Sequence, residues 1–211
     1  MNDTTGNFAS RDPARPAIGT LSRWTRAALL RFYRRQGWRA VGTPPADGRY
    51  VLIAAPHTSN WDFVYFLGLA EELGIDAHFM AKDSLFRWPL GGFMRDMGGI
   101  EVNRSGRHDM VAAMIDEFAR RDRFVLTIAP EGTRSKVRIW RSGFYHIALG
   151  AGVPMVVGMM DYPTRTGGLG PAIMPTGDYR ADMARIAEAY RDVTPRHPDR
   201  GTTNFGTIIE R

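Results

Sequence analysis

A histidine and an aspartate five positions apart are the residues of this chain best suited to proton transfer. His57 and Asp62 lie in the segment PHTSNWD, which directly follows the apolar run VLIAA. On a continuous helix their side chains would lie about 140° apart, so they can meet only if the chain turns between them. A strand end at His57 and a helix opening near Trp61 would supply that turn, with Ser59 or Asn60 as the N-cap. The carboxylate could then accept the Nδ1 proton and leave Nε2 free to take a proton from a substrate hydroxyl.

Two further segments carry residue types suited to binding an anion. PEGTRS, residues 130–135, follows the apolar run FVLTIA, and Asn103-Arg104 follows the run that ends at Val102. Glycine permits close backbone approach, serine and threonine offer hydroxyls, and arginine offers a fork of donors that matches phosphate. Each segment taken alone is also compatible with a solvated surface loop.

The elements that must position these residues alternate along the chain. Strands are predicted at Val51–Ala55, Ala77–Ala81, Ile100–Val102, Phe124–Ile128 and Met155–Met160. Helices are predicted at Trp61–Leu73, Leu85–Met97, His108–Arg120, Gly143–Leu149 and Ala181–Val193, with a loop or hairpin over 161–178. Such alternation predicts a single α/β domain with a largely parallel central sheet flanked by helices. Ligands of such sheets gather at the carboxyl ends of the strands, which is where the three polar segments fall.

The N-terminal part of the chain differs in composition from the remainder. Residues 1–20 are a polar tail, and we expect 21–211 to form one domain that begins with an amphipathic helix over 21–38. That helix contains no acidic residue and has arginines at positions 23, 26, 31, 34 and 35. Leu21, Trp24, Ala28 and Phe32 share one face, an arrangement typical of helices that lie at a membrane interface. The alternative is a surface helix that covers the core of its own domain.

Composition excludes several classes of function. The chain has 211 residues, 44% of them apolar, which is enough to bury a core. It contains no cysteine, so a disulfide framework, a cysteine-based zinc site and a thiol nucleophile are excluded. Its net charge of +6 favours anionic partners. No run approaches the ~20 apolar residues that span a bilayer, so we expect a soluble or peripheral protein.

Four ordered motifs resemble those of the glycerophospholipid acyltransferase family, whose best-known member acylates lysophosphatidic acid. HTSNWD, residues 57–62, matches the family's His-x-x-x-x-Asp motif, and GIEVNR, residues 99–104, resembles its second block. PEGTRS, residues 130–135, resembles the third block, and VPMVV, residues 153–157, resembles the fourth. Four motifs in the family's order form a specific signal where each one alone would be weak.

The resemblance implies a glycerol-phosphate acyltransferase-like fold and a role for each motif. His57 would deprotonate the acceptor hydroxyl, which attacks the thioester of acyl-CoA or acyl carrier protein, and Asp62 would orient His57. The acceptor site would be shaped by Arg104, Glu131, Gly132, Thr133 and Arg134. The expected partners are the acyl donor, a lysolipid acceptor and an anionic membrane surface, with no nucleic acid, metal or cofactor. The enzyme is therefore expected in the cytoplasm, peripheral at the inner face of the membrane.

The motifs are compatible with more than one acceptor. Pro56 replaces an Asn found in many family members, and Asn103 replaces a usual Asp. Lysophosphatidic acid, glycerol phosphate and a phosphate-free lyso-aminolipid are all compatible with the motifs.

Other classes fit the sequence less well. A serine-type lipid hydrolase would need a Gly-x-Ser-x-Gly elbow, which none of the serines forms, and Ser59 is too near His57 in sequence to be an obvious partner. A metal hydrolase would need clustered ligands, whereas His78, His108, His146 and His197 are scattered and are interpreted as surface or core residues. A basic module that binds nucleic acid or membrane would use the arginines, yet no nucleic-acid reader motif accompanies them.

Overall fold

The computed structural model of the protein describes residues 19–89, 91–102 and 107–202. Most of the predicted N-terminal tail lies outside the described residues. Asn103 and Arg104 also lie outside them. The expectation of one domain over 21–211 therefore remains a prediction.

One seven-stranded sheet organises the fold. Its strands are β1 (Arg39–Val41), β2 (Arg49–Ala54), β3 (Ala77–Lys82), β4 (Gly99–Val102), β5 (Phe124–Ile128), β6 (Met155–Asp161) and β7 (Thr166–Ile173). Their spatial order is β1-β7-β6-β2-β5-β3-β4. Neighbouring strands among the described residues run parallel except for the antiparallel pair β6–β7. The predicted α/β class with a largely parallel sheet is confirmed.

Helices cover both faces of this sheet. They are α1 (Thr20–Arg34), α2 (Trp61–Glu72), α3 (Gly91–Asp96), α4 (Arg107–Arg120), α5 (Gly143–Ala151) and α6 (Tyr179–Ala189). Along β2 the buried side chains alternate, because successive residues of a strand point to opposite faces. Val51 and Ile53 join the core formed with α4, α5 and α6, whereas Tyr50 and Leu52 lie on the face covered by α2. This two-sided burial explains why the central strands read as continuous apolar runs.

Two sequence predictions need correction. The predicted helix Leu85–Met97 is instead a 3₁₀ turn over Asp83–Phe86 followed by the short α3. Pro89 lies between them, and proline lacks an N–H and disfavours helical backbone at the preceding residue. The edge strand β1 was not predicted, because its three residues are too few to show a periodic pattern; among the described residues it pairs with β7 alone. The hairpin predicted within 161–178 is confirmed by the antiparallel β6–β7 pair.

Helix α1 packs on α2 through a face that the apolar pattern did not single out, together with Phe32 of the predicted face, whose ring stacks on Trp61 at a centroid distance of 5.2 Å. Leu30 and Tyr33 are buried, and the Tyr33 ring lies so close to Gly68 that a Cβ there would stand 2.2 Å from it. Leu21 and Trp24, on the predicted apolar face, are 80% and 73% exposed. The core-covering alternative therefore does not account for these two side chains. Within the described part of the chain, no helix combines the length and apolar character needed to cross a bilayer.

Candidate active site

Three polar residues follow three neighbouring parallel strands at one edge of the sheet. His57 comes shortly after β2, Glu131 shortly after β5, and Tyr162 directly after β6. Because β2 lies between β6 and β5, these residues are delivered to one place from separate parts of the chain. This is the carboxyl edge at which ligands of α/β sheets bind.

The predicted turn between His57 and Asp62 is present. His57 Nδ1 lies 3.1 Å from Asp62 Oδ2, while the His57 side chain keeps 29% of its surface exposed. Helix α2 begins at Trp61, and Asn60 occupies the N-cap position without a capping side-chain hydrogen bond. Instead, Ser59 Oγ accepts a hydrogen bond from the Trp61 N–H at 3.1 Å. The Ser59 hydroxyl therefore serves the local turn.

Asp62 is enclosed by hydrogen-bond donors and is only 2% exposed. Its Oδ2 accepts the backbone N–H groups of Thr58 and Ser59 at 2.8 and 2.9 Å, and its Oδ1 accepts the Tyr162 hydroxyl at 2.5 Å. Burial by itself would raise the pKa of Asp62, but the donors from His57, Tyr162 and Ser59 outweigh burial and hold this pKa below its usual value. Asp62 is thus a fixed carboxylate beside the imidazole.

The Tyr162 hydroxyl is the one donor in this arrangement that comes from a distant part of the chain. Burial and the hydrogen bond to Asp62 raise the pKa of Tyr162 well above its usual range, so the hydroxyl keeps its proton. Its ring packs edge-on against Trp38 and Tyr65 at centroid distances of 5.1 and 5.8 Å. Packing from α2 and from the segment before β1 therefore holds the hydroxyl toward Asp62.

Glu131 lies underneath the histidine. It is 4% exposed, and its Oε2 accepts the backbone N–H of His57 at 2.6 Å. Burial raises the pKa of Glu131 to about 7, against the opposing effect of that N–H donor. The first residue of the Glu131–Ser135 segment thus supports the backbone of His57.

The chain then turns to present the remaining residues of this segment to solvent. Gly132 has φ +65°, a conformation that side chains with a Cβ rarely adopt, and a Cβ there would lie 2.9 Å from Arg141 Nε. Thr133 Oγ1 accepts the Ser135 N–H at 3.3 Å. Arg134 is exposed, and among the described residues it has no ion-pair partner.

An open cavity of about 460 Å³ lies at the segment that directly follows His57 in sequence. It is lined by residues 58–61, Arg134, Arg196, His197 and Arg200. Three guanidinium groups thus meet at one cavity, and the described residues that line it include no carboxylate. Such a wall attracts anions, and guanidinium groups suit phosphate and carboxylate oxygens in particular.

The sequence matches the acyltransferase family over residues 39–160, more than half of the chain, a region that includes His57, Asp62 and the Glu131–Ser135 segment. The chain belongs to the acyltransferase family. The resemblance of its motifs to those of glycerophospholipid acyltransferases is thereby confirmed, and the enzyme class is that of an O-acyltransferase acting with an acyl donor and a lipid acceptor.

One solved structure gives an independent comparison of the fold. The 1-acyl-sn-glycerophosphate (LPA) acyltransferase PlsC from Thermotoga maritima superposes with a TM-score of 0.51 at 19% sequence identity. The superposition covers 74% of this chain and 71% of that chain. A comparison with curated protein sequences gives no significant match.

The segments that contain Arg104 and Arg134 do not follow neighbouring strands of this acyltransferase, because β3 lies between β4 and β5. Strands that are near in sequence order are not necessarily neighbours, because β5 inserts between β2 and β3. Arg104 itself lies outside the described residues, so its contribution to the acceptor site stays a prediction.

A further part of the candidate site was missed by sequence reasoning. Residues 194–202, here called the C-terminal strap, cross the carboxyl edge of the sheet and supply Arg196, His197 and Arg200 to the cavity. They follow no apolar strand run, so the strand-end rule does not reach them. His197 was interpreted as a surface or core residue, yet it lines the cavity. Tyr162 directly follows β6, and the same rule applied to that strand would have found it.

Proposed function

We propose that this acyltransferase moves a fatty acyl group from the thioester of acyl-CoA or acyl carrier protein to a free hydroxyl of a lysophospholipid such as 1-acyl-glycerol-3-phosphate, in phospholipid biosynthesis. The observation that carries the proposal is the His57–Asp62 contact beside a cavity lined with arginines. The fold that the chain shares with the LPA acyltransferase PlsC supports it.

His57 is the proposed general base. In this mechanism the Nδ1–H group of His57 donates its hydrogen bond to Asp62, so the neutral imidazole presents an unprotonated Nε2 to the acceptor. Nε2 takes the hydroxyl proton as the oxygen attacks the thioester carbonyl carbon. The tetrahedral intermediate collapses with formation of the ester and cleavage of the C–S bond, and the imidazolium returns its proton to the departing thiolate. The atoms balance without a covalent acyl-enzyme.

The fixed carboxylate of Asp62 is the source of electrostatic stabilisation in this mechanism. The imidazole becomes positive only as the proton is transferred, so a negative group held at Nδ1 stabilises the transition state more than the ground state. Three donors other than His57 fix that carboxylate in place before the substrate arrives. Little reorganisation is then needed during the reaction.

Arg134 is the proposed phosphate-binding residue for the acceptor. Its guanidinium is exposed at the cavity and lacks an ion-pair partner among the described residues, which argues against the alternative of an internal pair with Glu131. Gly132 permits the turn that brings this side chain to the cavity, and Thr133 braces the loop. An arginine-lined wall favours a phosphorylated acceptor over a phosphate-free lyso-aminolipid.

A membrane-facing role is proposed for α1. Leu21 and Trp24 are exposed next to arginines that have no carboxylate on the same helix, a combination that suits an anionic bilayer surface. Arg26 is an exception, because it pairs with Glu71 of α2. We propose that the enzyme binds peripherally at the inner face of the membrane through this surface.

The base is tested by thioester consumption with His57→Ala. Because the chain contains no cysteine, a thiol reagent reads released coenzyme A without background from the protein. We expect turnover to be lost with little change in melting temperature, since the histidine is partly exposed and contributes little packing. His146→Ala, which removes an exposed histidine from α5, is the matched control. Retained turnover in His57→Ala would contradict the mechanism.

The acceptor is tested by comparing lysophosphatidic acid with a phosphate-free lyso-aminolipid. If Arg134 binds phosphate, Arg134→Ala should lower kcat/KM for the phosphorylated acceptor by a factor that corresponds to roughly 1.5–3 kcal/mol of lost transition-state binding. The KM of the donor should stay almost unchanged. Arg134→Lys should recover only part of the loss, because an ammonium is a point charge and not a fork. An equal proportional loss on both acceptors would show that Arg134 supports the loop instead of binding phosphate.

A further inference from the structure

The C-terminal strap is hydrogen-bonded to the end of β6 and to the segments that follow β2 and β5. The Thr194 N–H donates to Asp161 Oδ1 at 2.9 Å at the end of β6, and the His197 N–H donates to Thr58 Oγ1 at 3.3 Å after β2. Thr202 Oγ1 donates to the Val137 carbonyl at 3.3 Å in the segment after β5. The strap is thus part of the site architecture, and the side chains it presents to the cavity stand on an anchored backbone.

Arg196 is held on an aromatic platform. Its Cζ lies 5.8 Å from the ring centroid of Trp61 and 5.8 Å from that of Tyr162, within the range of cation–π contacts. A guanidinium that lies over a ring can still donate hydrogen bonds in its own plane, so this contact orients the group and leaves donors for a ligand. Among the described residues no carboxylate pairs with Arg196.

Arg200 adds a second cation to the same cavity. Its closest carboxylate is that of Asp199, an exposed neighbour at 3.9 Å, which is too distant for a hydrogen bond and is screened by solvent. With Arg134, three guanidinium charges therefore face the cavity. A phosphate monoester carries about −1.5 to −2 charges at pH 7, so one acceptor phosphate at Arg134 leaves positive charge unmatched.

We propose that Arg196 and Arg200 of the C-terminal strap bind a substrate phosphate beside His57, in addition to the contact proposed for Arg134. This inference rests on the proposed function, because it assigns these arginines to the same acyl-transfer site. The recognised chemistry is a phosphate group. Its source is either the head group of the acceptor or the phosphopantetheine part of the donor, and the two sources can be separated by substrates that lack one or the other.

The test uses Arg196→Gln and Arg200→Gln in the full chain, with Arg191→Gln as a matched control. Arg191 is an exposed arginine near the strap that pairs with Glu188 and does not line the cavity. Lysophosphatidic acid is compared with monoacylglycerol as acceptor, and acyl-CoA is compared with the phosphate-free acyl N-acetylcysteamine thioester as donor. We expect each strap variant to raise the KM of the substrate that supplies the phosphate by about 10-fold or more, and the effect to vanish when that phosphate is absent.

Arg200→Gln keeps the test decisive if Arg196→Gln also disturbs Trp61 and Tyr162. Arg200 has no ring contact among the described residues, so its effect reports on the phosphate alone. The proposal would be overturned if KM rose equally with all four combinations of donor and acceptor, or if KM stayed unchanged in both variants. A rise in KM that follows one phosphate would support it and would identify the source.

A binding measurement separates this inference from the proposed function. Calorimetric titration with glycerol 3-phosphate and with coenzyme A needs no turnover. If wild type transfers no acyl group but still binds one of these ligands, and the strap variants weaken that binding about 10-fold relative to Arg191→Gln, the proposed function fails while the phosphate site stands. If wild type is active and neither ligand loses affinity in the strap variants, the phosphate site is wrong and the proposed function stands.

Discussion

Removing one oxygen atom, in Tyr162→Phe, tests whether the environment of Asp62 governs the activity of His57. The Tyr162 hydroxyl donates to Asp62 Oδ1 at 2.5 Å, while the two backbone N–H donors and the imidazole all contact Oδ2. Phenylalanine keeps the ring that packs against Trp38 and Tyr65, so only the hydroxyl is lost. The substitution therefore leaves Oδ1 buried without its donor.

The size of the effect follows from that geometry. Leaving a charged, buried acceptor without its hydrogen bond costs about 1.5–3 kcal/mol. If most of this cost appears in the transition state, kcat falls by about 10-fold to 100-fold, since 1.36 kcal/mol corresponds to a factor of 10. Loss of the donor also raises the pKa of Asp62, because the Tyr162 hydrogen bond is one of the interactions that lower it. Because the mechanism needs the ionised Asp62 carboxylate beside His57, the part of the acid limb of kcat that reports protonation of Asp62 should move to higher pH.

The assay is release of the thiol from acyl-CoA across a range of pH, with melting temperatures recorded for each variant. Tyr65→Phe is the matched control, because Tyr65 lies in the same aromatic cluster but its hydroxyl is not among the groups that donate to Asp62. A purely structural role for Tyr162 would lower the melting temperature and leave the acid limb in place. If Tyr162→Phe and Tyr65→Phe share the same kcat and the same acid limb, Tyr162 is not a positioning residue.

Four further outcomes are expected. Asp62→Asn should lower kcat by about 10³-fold to 10⁴-fold in the thiol-release assay, because an amide can favour the wrong imidazole tautomer. Burial raises the pKa of Glu131 from 4.5 to about 7, so between these pH values the folded chain holds a proton that the unfolded chain releases. The free energy of unfolding should therefore fall as pH rises from 4.5 to about 7, by at most about 3 kcal/mol. Urea titrations of Glu131→Gln should lack that fall. Gly132→Ala should destabilise the fold by about 1–2 kcal/mol in urea, because its positive φ disfavours a Cβ. Replacing Leu21 and Trp24 together by Ser should weaken co-sedimentation with anionic vesicles without lowering the melting temperature, and unchanged sedimentation would refute the membrane proposal.

The parts of the site that the sequence predicted depend on local rules. A histidine after an apolar strand and an aspartate in the first turn of the next helix are brought together by one short turn, and their contact could be predicted from six residues. The Gly132 turn is local as well, since a glycine between a strand and a polar loop is the usual way to reverse direction there. The alternation of apolar runs and helical patterns likewise predicted the parallel sheet.

The parts that were missed depend on contacts between distant segments. The Tyr162 hydroxyl reaches Asp62 across 100 positions in sequence, and Glu131 reaches the His57 backbone across 74. Neither contact leaves a periodic signal in the sequence. The same holds for α1, where Tyr33 packs against Gly68 because that glycine leaves room for a ring. Side-chain periodicity alone did not indicate which face of α1 is buried.

The position of the C-terminal strap follows from a single reversal in the sheet. Strand β7 runs antiparallel to β6, so it starts at the carboxyl edge and ends at the amino edge, away from the site. Helix α6, with 11 residues and a length of about 16 Å, then carries the chain back across the sheet. At its C-terminal end the Tyr190 hydroxyl shares its one proton between the carbonyls of Ile53 and Gly158, at 2.8 and 3.0 Å, which fixes the helix end to β2 and β6. The chain that leaves α6 must therefore cross the strand ends beside His57, and this is how arginines distant in sequence from the motifs come to line the cavity.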